Sequence, residues 1–121
     1  MTKPIVGWFE ITGRDGPALQ RFYSKLFDWR INDPGDGSGY GLVEAGDKGI
    51  ACGIGASQDG GEGGVTFYVE VDDPAQFLEK AETLGGKTVV PPTEMPAFGL
   101  TFAFFADPEG HVVGLSKGAV Q

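Results

Sequence analysis

Residues 6–29, VGWFEITGRDGPALQRFYSKLFDW, and residues 64–87, GVTFYVEVDDPAQFLEKAETLGGK, read as two copies of one strand–loop–helix unit set 58 positions apart. Trp8–Phe9 falls over Thr66–Phe67, Asp15 over Asp73, and Leu26 over Leu84. Each copy leads into a glycine-punctuated pair of strands that closes on a similar phrase, IACGIG (50–55) and HVVGLS (111–116). Repeated units of this kind cannot bury their apolar faces alone and are expected to combine. The expectation is an α+β fold: two βαβββ modules forming a cupped, partly open mixed sheet with helices outside, around a shared concave site.

Local signals extend that reading in both directions. Ile5–Thr12 alternates between Pro4 and Gly13, as a half-buried strand does. Asp15 supplies a helix cap and Pro17 an early helical position, and Leu19, Phe22, Tyr23, Leu26 and Phe27 recur as an apolar stripe. That predicts a helix over about 16–28. Breakers fill 32–39, strands are expected at about 40–45 and 49–56, and SQDGGEGG (57–64) reads as a flexible joint. The second copy gives a strand over 65–71 and a helix over 74–84, capped by Asp73 and ended by Gly85–Gly86. Its helix stripe is Phe77, Leu78, Ala81 and Leu84. A short strand at 88–90 is expected to close at Pro91–Pro92, with 93–99 a loop, 100–106 a strand, Asp107–Gly110 a type I turn, and 112–116 the last strand. One domain over 1–121 results, with module 1 at about 4–56, a joint at 57–64, and module 2 at about 65–118.

Composition narrows the function classes. Glycine accounts for 21 of 121 residues, more than twice the ~7% average, with no collagen-like period, so the excess belongs to turns and strand ends. Nine basic against seventeen acidic residues give a net charge of −8. No basic patch is available for a phosphate backbone or an anionic bilayer, so neither nucleic acid nor membrane is expected as a partner. A single cysteine, Cys52, forms no internal disulfide and suits a reducing cytoplasm. No charged-then-apolar leader precedes Ile5 and no apolar run approaches about 18 residues, so the chain is expected to be cytoplasmic. Gly13–Gly16 precedes a helix but lacks the spacing and lysine of a phosphate loop.

The layout resembles the vicinal oxygen chelate superfamily, which holds glyoxalase I, bleomycin-resistance proteins, fosfomycin-resistance enzymes and extradiol dioxygenases. The resemblance rests on WFEITGRD (8–15), RFYSKLFDW (21–29), TFYVEVDD (66–73), LGGK (84–87) and FFADPEGHVVGL (104–115), in that order over almost the whole chain. It implies metal ligands early in each module's first strand and in each module's last strand. Those positions here are Trp8 and Thr66, then Gly53 and Gly114. None offers a carboxylate or imidazole, whereas a catalytic zinc takes about three protein ligands and an iron oxygenase two His and a carboxylate. The one histidine, His111, follows the DPEG turn and reads as a turn or rim residue. No metal or other cofactor is therefore expected at the usual site.

Strand alternation places Trp8, Glu10 and Thr12 on one side of the first strand, with Phe9 and Ile11 on the other. In the partner strand, Thr66, Tyr68 and Glu70 oppose Phe67, Val69 and Val71. The all-apolar faces should pack on the helices. The mixed faces then line the cup, with Gly53 and Gly114 leaving room for a ligand and Met95 and Phe98 forming a lid. Trp8 reads equally as core, Tyr68 as a structural aromatic, and Met95 with Phe98 as a cap on the core edge. Glu10 is either partly hydrated at the mouth or, if buried, a general-base candidate. Cys52 should face away from the cup as a small buried hydrophobe.

Three functions remain open. The first is a metal-free small-molecule binder similar to the bleomycin-resistance branch, holding aromatic or cationic compounds without transforming them. The second is a glyoxalase-like lyase or dioxygenase-type enzyme using atypical ligands or Glu10 as acid–base group. The third is a dimeric interaction module with a vestigial cup. Relatives commonly pair, and open sheet edges favour association, so a homodimer is expected.

Overall fold

The computed structural model describes residues 3–35, 37–57, 59–96 and 99–118. Among them are two helices and seven strands in an α+β arrangement. In chain order they are β1 (Ile5–Gly13), α1 (Gly16–Phe27), β2 (Gly41–Val43), β3 (Cys52–Ala56), β4 (Gly64–Glu70), α2 (Pro74–Thr83), β5 (Lys87–Met95), β6 (Leu100–Ala106) and β7 (Val112–Gly118). The elements group into two compact units. One spans Trp8–Thr66, and the other runs from Phe67 onward together with the chain up to Gly7.

Both helices start where the sequence says they should. The Asp15 carboxylate accepts from the Ala18 amide at 3.0 Å, and that of Asp73 from the Gln76 amide at 3.3 Å. Each satisfies an amide that the first turn leaves without an intrahelical partner. α1 ends at Asp28, which takes the left-handed conformation (φ 62°), and the chain beyond α2 turns at Gly85 (φ 103°).

In the Trp8–Thr66 unit the strand order is β2-β3-β1. β3 runs antiparallel to β2 and parallel to β1, in a register that sets Phe9 beside Cys52, Glu10 beside Gly53 and Ile11 beside Ile54. Alternation then sends Ile11, Cys52 and Ile54 to one side, where with Val43 they form the core. Phe9, Leu19, Tyr23, Trp29 and Ile31 pack around it. Cys52 is 1% exposed, as expected for a small buried hydrophobe. The apolar stripe of α1 is narrower than its sequence suggests. Leu19 and Tyr23 reach the core, but Phe22, Leu26 and Phe27 are each more than half exposed, because α1 turns its Gly16 side to the sheet. β2 and β3 are also shorter than expected. Residues 44–51 connect them, with the Gly49 amide turning back to the Gly46 carbonyl.

The other unit has strand order β4-β7-β6-β5. β4 runs parallel to β7, with Tyr68 beside Gly114, and the remaining pairings are antiparallel. Val71, Leu78, Ala103 and Leu115 are its buried core, flanked by Val69, Phe77 and Phe105. Phe67 was expected in this layer but stays 44% exposed. A second correction concerns β5, which does not stop at Pro91–Pro92 but runs through both prolines to Met95. It is the outer strand with β6 as its neighbour, and its ladder shifts register between Thr88 and Val90 and again before Thr93. Proline lacks the N–H for a ladder bond, so an edge strand with bulges is where a strand tolerates it.

Candidate functional site

β1 carries Trp8, Glu10 and Thr12 on the side away from Ile11 and the core. The residue that completes the arrangement is Tyr40, which enters just ahead of β2. Its phenol end lies over Gly53, where a Cβ would overlap the phenol oxygen and ring carbons, and the ring is close to Gly55 as well. Cys52 and Ile54 point to the core, so the alternate positions 53 and 55 form a bare strand surface on which a ring can rest.

The Tyr40 hydroxyl donates to a Glu10 carboxylate oxygen at 3.0 Å, and the Trp8 indole N–H donates to the Tyr40 oxygen at 3.4 Å. Donors and acceptors run in one direction, from indole to phenol to carboxylate. Burial raises the pKa of Tyr40 well above the ordinary tyrosine value, and the negative charge of Glu10 beside it pushes the same way. The phenol is therefore neutral and able to donate. All three side chains are half-buried. Cys52 beneath them is pushed up to about 11 by burial, which keeps it a thiol rather than a nucleophile.

The other expected site residues fare differently. Thr12 uses its hydroxyl to accept from the Gly64 amide at 3.3 Å, and Gly63 closes against its backbone. Gly53 leaves no room for a ligand, because Tyr40 occupies the space above it. The same correction applies to Gly114, whose missing side chain is replaced by the Tyr68 ring. Tyr68 also packs 5.5 Å from Phe104, which in turn lies 5.7 Å from Phe102. Thr66 is half-buried on β4, Met95 is 37% exposed at the end of β5, and Phe98 lies outside the described residues. Glu70 is exposed at the end of β4, its carboxylate lying where a side chain on Gly7 would go. His111 belongs to the Asp107–Gly110 turn. Its backbone N–H and ring Nδ1 meet the Asp107 carboxylate at 2.9 and 3.0 Å, holding that carboxyl below the usual range.

Tyr40 escaped the sequence reading. The available signal was Gly39-Tyr40-Gly41 together with alternating glycines in CGIG, since glycine inside a strand marks close approach of another group.

A metal does not fit this donor set. Among the described residues, no three His, Cys, Asp or Glu side chains come together. Gly53 carries no side-chain donor and its space is filled, so the cluster offers a metal one carboxylate beside a neutral phenol and an indole. Two hollows lie elsewhere. One of about 290 Å³ is bordered by Asp28, Trp29, Arg30, Asn32, Val43 and Glu44. One of about 380 Å³ lies under α2, between Phe77, Ala81, Leu84 and Phe105. The first is lined by the charged side chains of Asp28, Arg30 and Glu44, and the second has Lys80 and Asp107 beside its apolar walls; the Trp8–Tyr40–Glu10 cluster lines neither.

The family model for the Glyoxalase/Bleomycin resistance protein/Dioxygenase superfamily matches residues 5–115. Anthracycline biosynthesis protein DnrV of Streptomyces peucetius is 31% identical over 94% of this chain and 47% of its own length. A Mycobacterium bovis protein named for glyoxylase activity, CFP32, is 29% identical over 89% of this chain and 43% of its own. The chain thus spans about half the length of these relatives. Among solved structures, methylmalonyl-CoA epimerase in complex with methylmalonyl-CoA superimposes with a TM-score of 0.64 over 98% of this chain and 97% of that one, at 13% identity. The Mycobacterium tuberculosis epimerase gives 0.69 over 98% and 93%, also at 13% identity. At that identity the likeness is one of fold.

Proposed function

The chain belongs to the Glyoxalase/Bleomycin resistance protein/Dioxygenase superfamily, and on that premise we propose that it binds a small molecule without a metal at the family's usual ligand positions. The observation that carries the reading is the Tyr40 phenol seated on Gly53 and donating to Glu10. A family ligand position carries no side-chain donor, and the space a side chain would need there is taken by the chain's own Tyr40 phenol. The ligand class is a flat aromatic cation or hydrogen-bond donor. Trp8 and Tyr40 supply flat, rigid aromatic surface, and the Glu10 carboxylate beside them supplies negative charge and acceptor oxygens. A relative named for anthracycline biosynthesis supports an aromatic ligand, since an anthracycline is a fused-ring aromatic.

A second reading takes Glu10 as an acid–base group whose carboxylate is positioned by the 3.0 Å bond from Tyr40. Association as a homodimer is part of the proposal, supported by the exposed Phe22, Leu26 and Phe27 of α1. A cytoplasmic setting is supported by the buried, unpaired Cys52.

The test is calorimetric titration with 9-aminoacridine, a planar aromatic cation, alongside melting scans with zinc, manganese and nickel. Saturable binding that weakens in Glu10→Gln and Tyr40→Phe is the expected result, with no metal-dependent shift. Absence of binding, or equal binding by both variants, would overturn the ligand assignment. Stabilisation by a metal of several degrees that Glu10→Gln abolishes would overturn the metal-free assignment.

A further inference from the structure

We propose that Gln20 is a positioning residue for the Trp8–Tyr40–Glu10 cluster, an inference that rests on reading that cluster as the ligand site. Gln20 is half-buried in the middle of α1, on the side turned to β3. Its amide nitrogen donates to the Gly39 carbonyl at 2.8 Å and to the Ile54 carbonyl at 2.7 Å. Both partners are acceptors only, so the nitrogen and not the oxygen must face them. Gly39 is the residue before Tyr40, and Ile54 is the residue after Gly53. One side chain therefore clamps the two backbone segments whose separation decides whether the phenol lies on Gly53.

The clamp has work to do because the loop has little stiffness of its own. Gly35, Gly37 and Gly39 all sit at positive φ (83°, 78° and 78°), and a chain of such glycines loses more entropy on ordering than any other. Within that stretch the Tyr40 amide donates to the Ser38 side chain at 3.1 Å, a local turn that Gln20 ties to the helix through the Gly39 carbonyl. Gly41 makes way for the clamp, since a Cβ there would come 2.9 Å from the Gln20 nitrogen and would strike Ile31. Glycines at 39, 41 and 53 thus serve one arrangement: the first lets the chain turn, the second admits the amide, and the third receives the ring.

Shape and donors can be separated experimentally. Gln20→Met keeps the length and flexibility of the side chain but has no N–H, whereas Gln20→Lys restores donors on a stem of similar reach. In the ligand-free protein, NMR reports the ring position through the ring-current shift of the Gly53 Hα protons and their cross-peaks to the Tyr40 ring. In Gln20→Met these signals are expected to be lost while the Val71 and Leu115 methyl resonances stay in place, and 9-aminoacridine affinity falls about tenfold. Gln20→Lys is expected to recover a large part of both. Intact Gly53–Tyr40 cross-peaks in Gln20→Met, or loss that Gln20→Lys does not recover, would overturn the proposal. Should Gln20→Met fail to fold, the wild-type protein decides. Through-bond couplings from the Gln20 side-chain nitrogen to the Gly39 and Ile54 carbonyl carbons support the clamp, and a freely exchanging Gln20 amide refutes it. If the cross-peaks respond as expected but no variant, wild type included, binds the dye, the positioning role stands and the ligand reading fails.

Discussion

Gly53→Ala should be among the most damaging small substitutions in this chain, although it adds one methyl group. The new Cβ would coincide with the Tyr40 phenol, so the ring has to leave its seat. Leaving breaks the 3.0 Å bond to the Glu10 carboxylate, worth roughly 1.5–3 kcal/mol for a hydrogen bond to a charged group. Crowding at a strand packed on both faces adds roughly 1–3 kcal/mol. Against this stands a gain of about 0.4–1 kcal/mol, because alanine restricts the unfolded chain more than glycine does. The net is a loss of roughly 2–5 kcal/mol, a large share of the ~5–15 kcal/mol that holds a domain together. Urea denaturation of wild type, Gly53→Ala, Tyr40→Ala and the double variant completes a cycle. If the ring is the obstacle, Gly53→Ala should cost little once Tyr40 is already alanine, giving a coupling of about 2 kcal/mol. Gly46→Ala is the control, since nothing lies near that position, and it should stay within about 0.5 kcal/mol of wild type. The reasoning fails if Gly53→Ala behaves like Gly46→Ala, or if its penalty is undiminished in the Tyr40→Ala background.

Two further outcomes follow from the same neighbourhood. Alkaline titration followed by tyrosinate absorbance should leave Tyr40 protonated above the ordinary value of about 10, because burial and Glu10 both raise it. A raised folded-state value means that its contribution to stability is complete below pH 10 and fades as pH climbs through the folded value. Tyr40→Phe should remove that part of the alkaline dependence. Cys52, 1% exposed and pushed up to about 11, should react with a disulfide reagent at pH 8 only at the rate of unfolding; labelling as fast as a free thiol would show the core to be open.

The fold was legible because its signals are local and repeated. Asp15 and Asp73 cap helices a repeat apart, and alternation in β1 and β4 separates Ile11, Val69 and Val71 from Glu10 and Tyr68, a division the two cores respect. Less legible was anything set by tertiary contact. The extent of β5 depends on its being an outer strand, which two prolines read in isolation cannot reveal. The stripe of α1 looked wide because Phe22 and Leu26 are apolar at helical spacing, yet which of its residues meet the sheet is settled by Gly16 and Gln20. Among candidate site residues, Trp8 and Glu10 were identified from alternation alone. Tyr40 and Gln20 were not, since one stands at the boundary between a run of breakers and an expected strand and the other looks like an ordinary polar helix residue.

The two halves explain why Tyr40 was the residue most easily overlooked. Across the repeat, Glu10 corresponds to Tyr68, and the parallel ladders place each beside a glycine, Gly53 and Gly114. In the second half the first-strand residue is itself aromatic, and its own ring covers the glycine next to it. In the first half that position holds a carboxylate, so the covering ring has to come from elsewhere. Tyr40 provides it, and the covering ring brings a hydroxyl to the carboxylate that displaced it from the strand. One departure from internal symmetry therefore falls on the pair Glu10 with Tyr40. A ring over a glycine is a packing solution that either half can reach. A ring that also donates to an inward carboxylate, with an indole N–H behind it, goes beyond what covering the glycine requires. That excess is what supports the proposed site in the first half rather than the second.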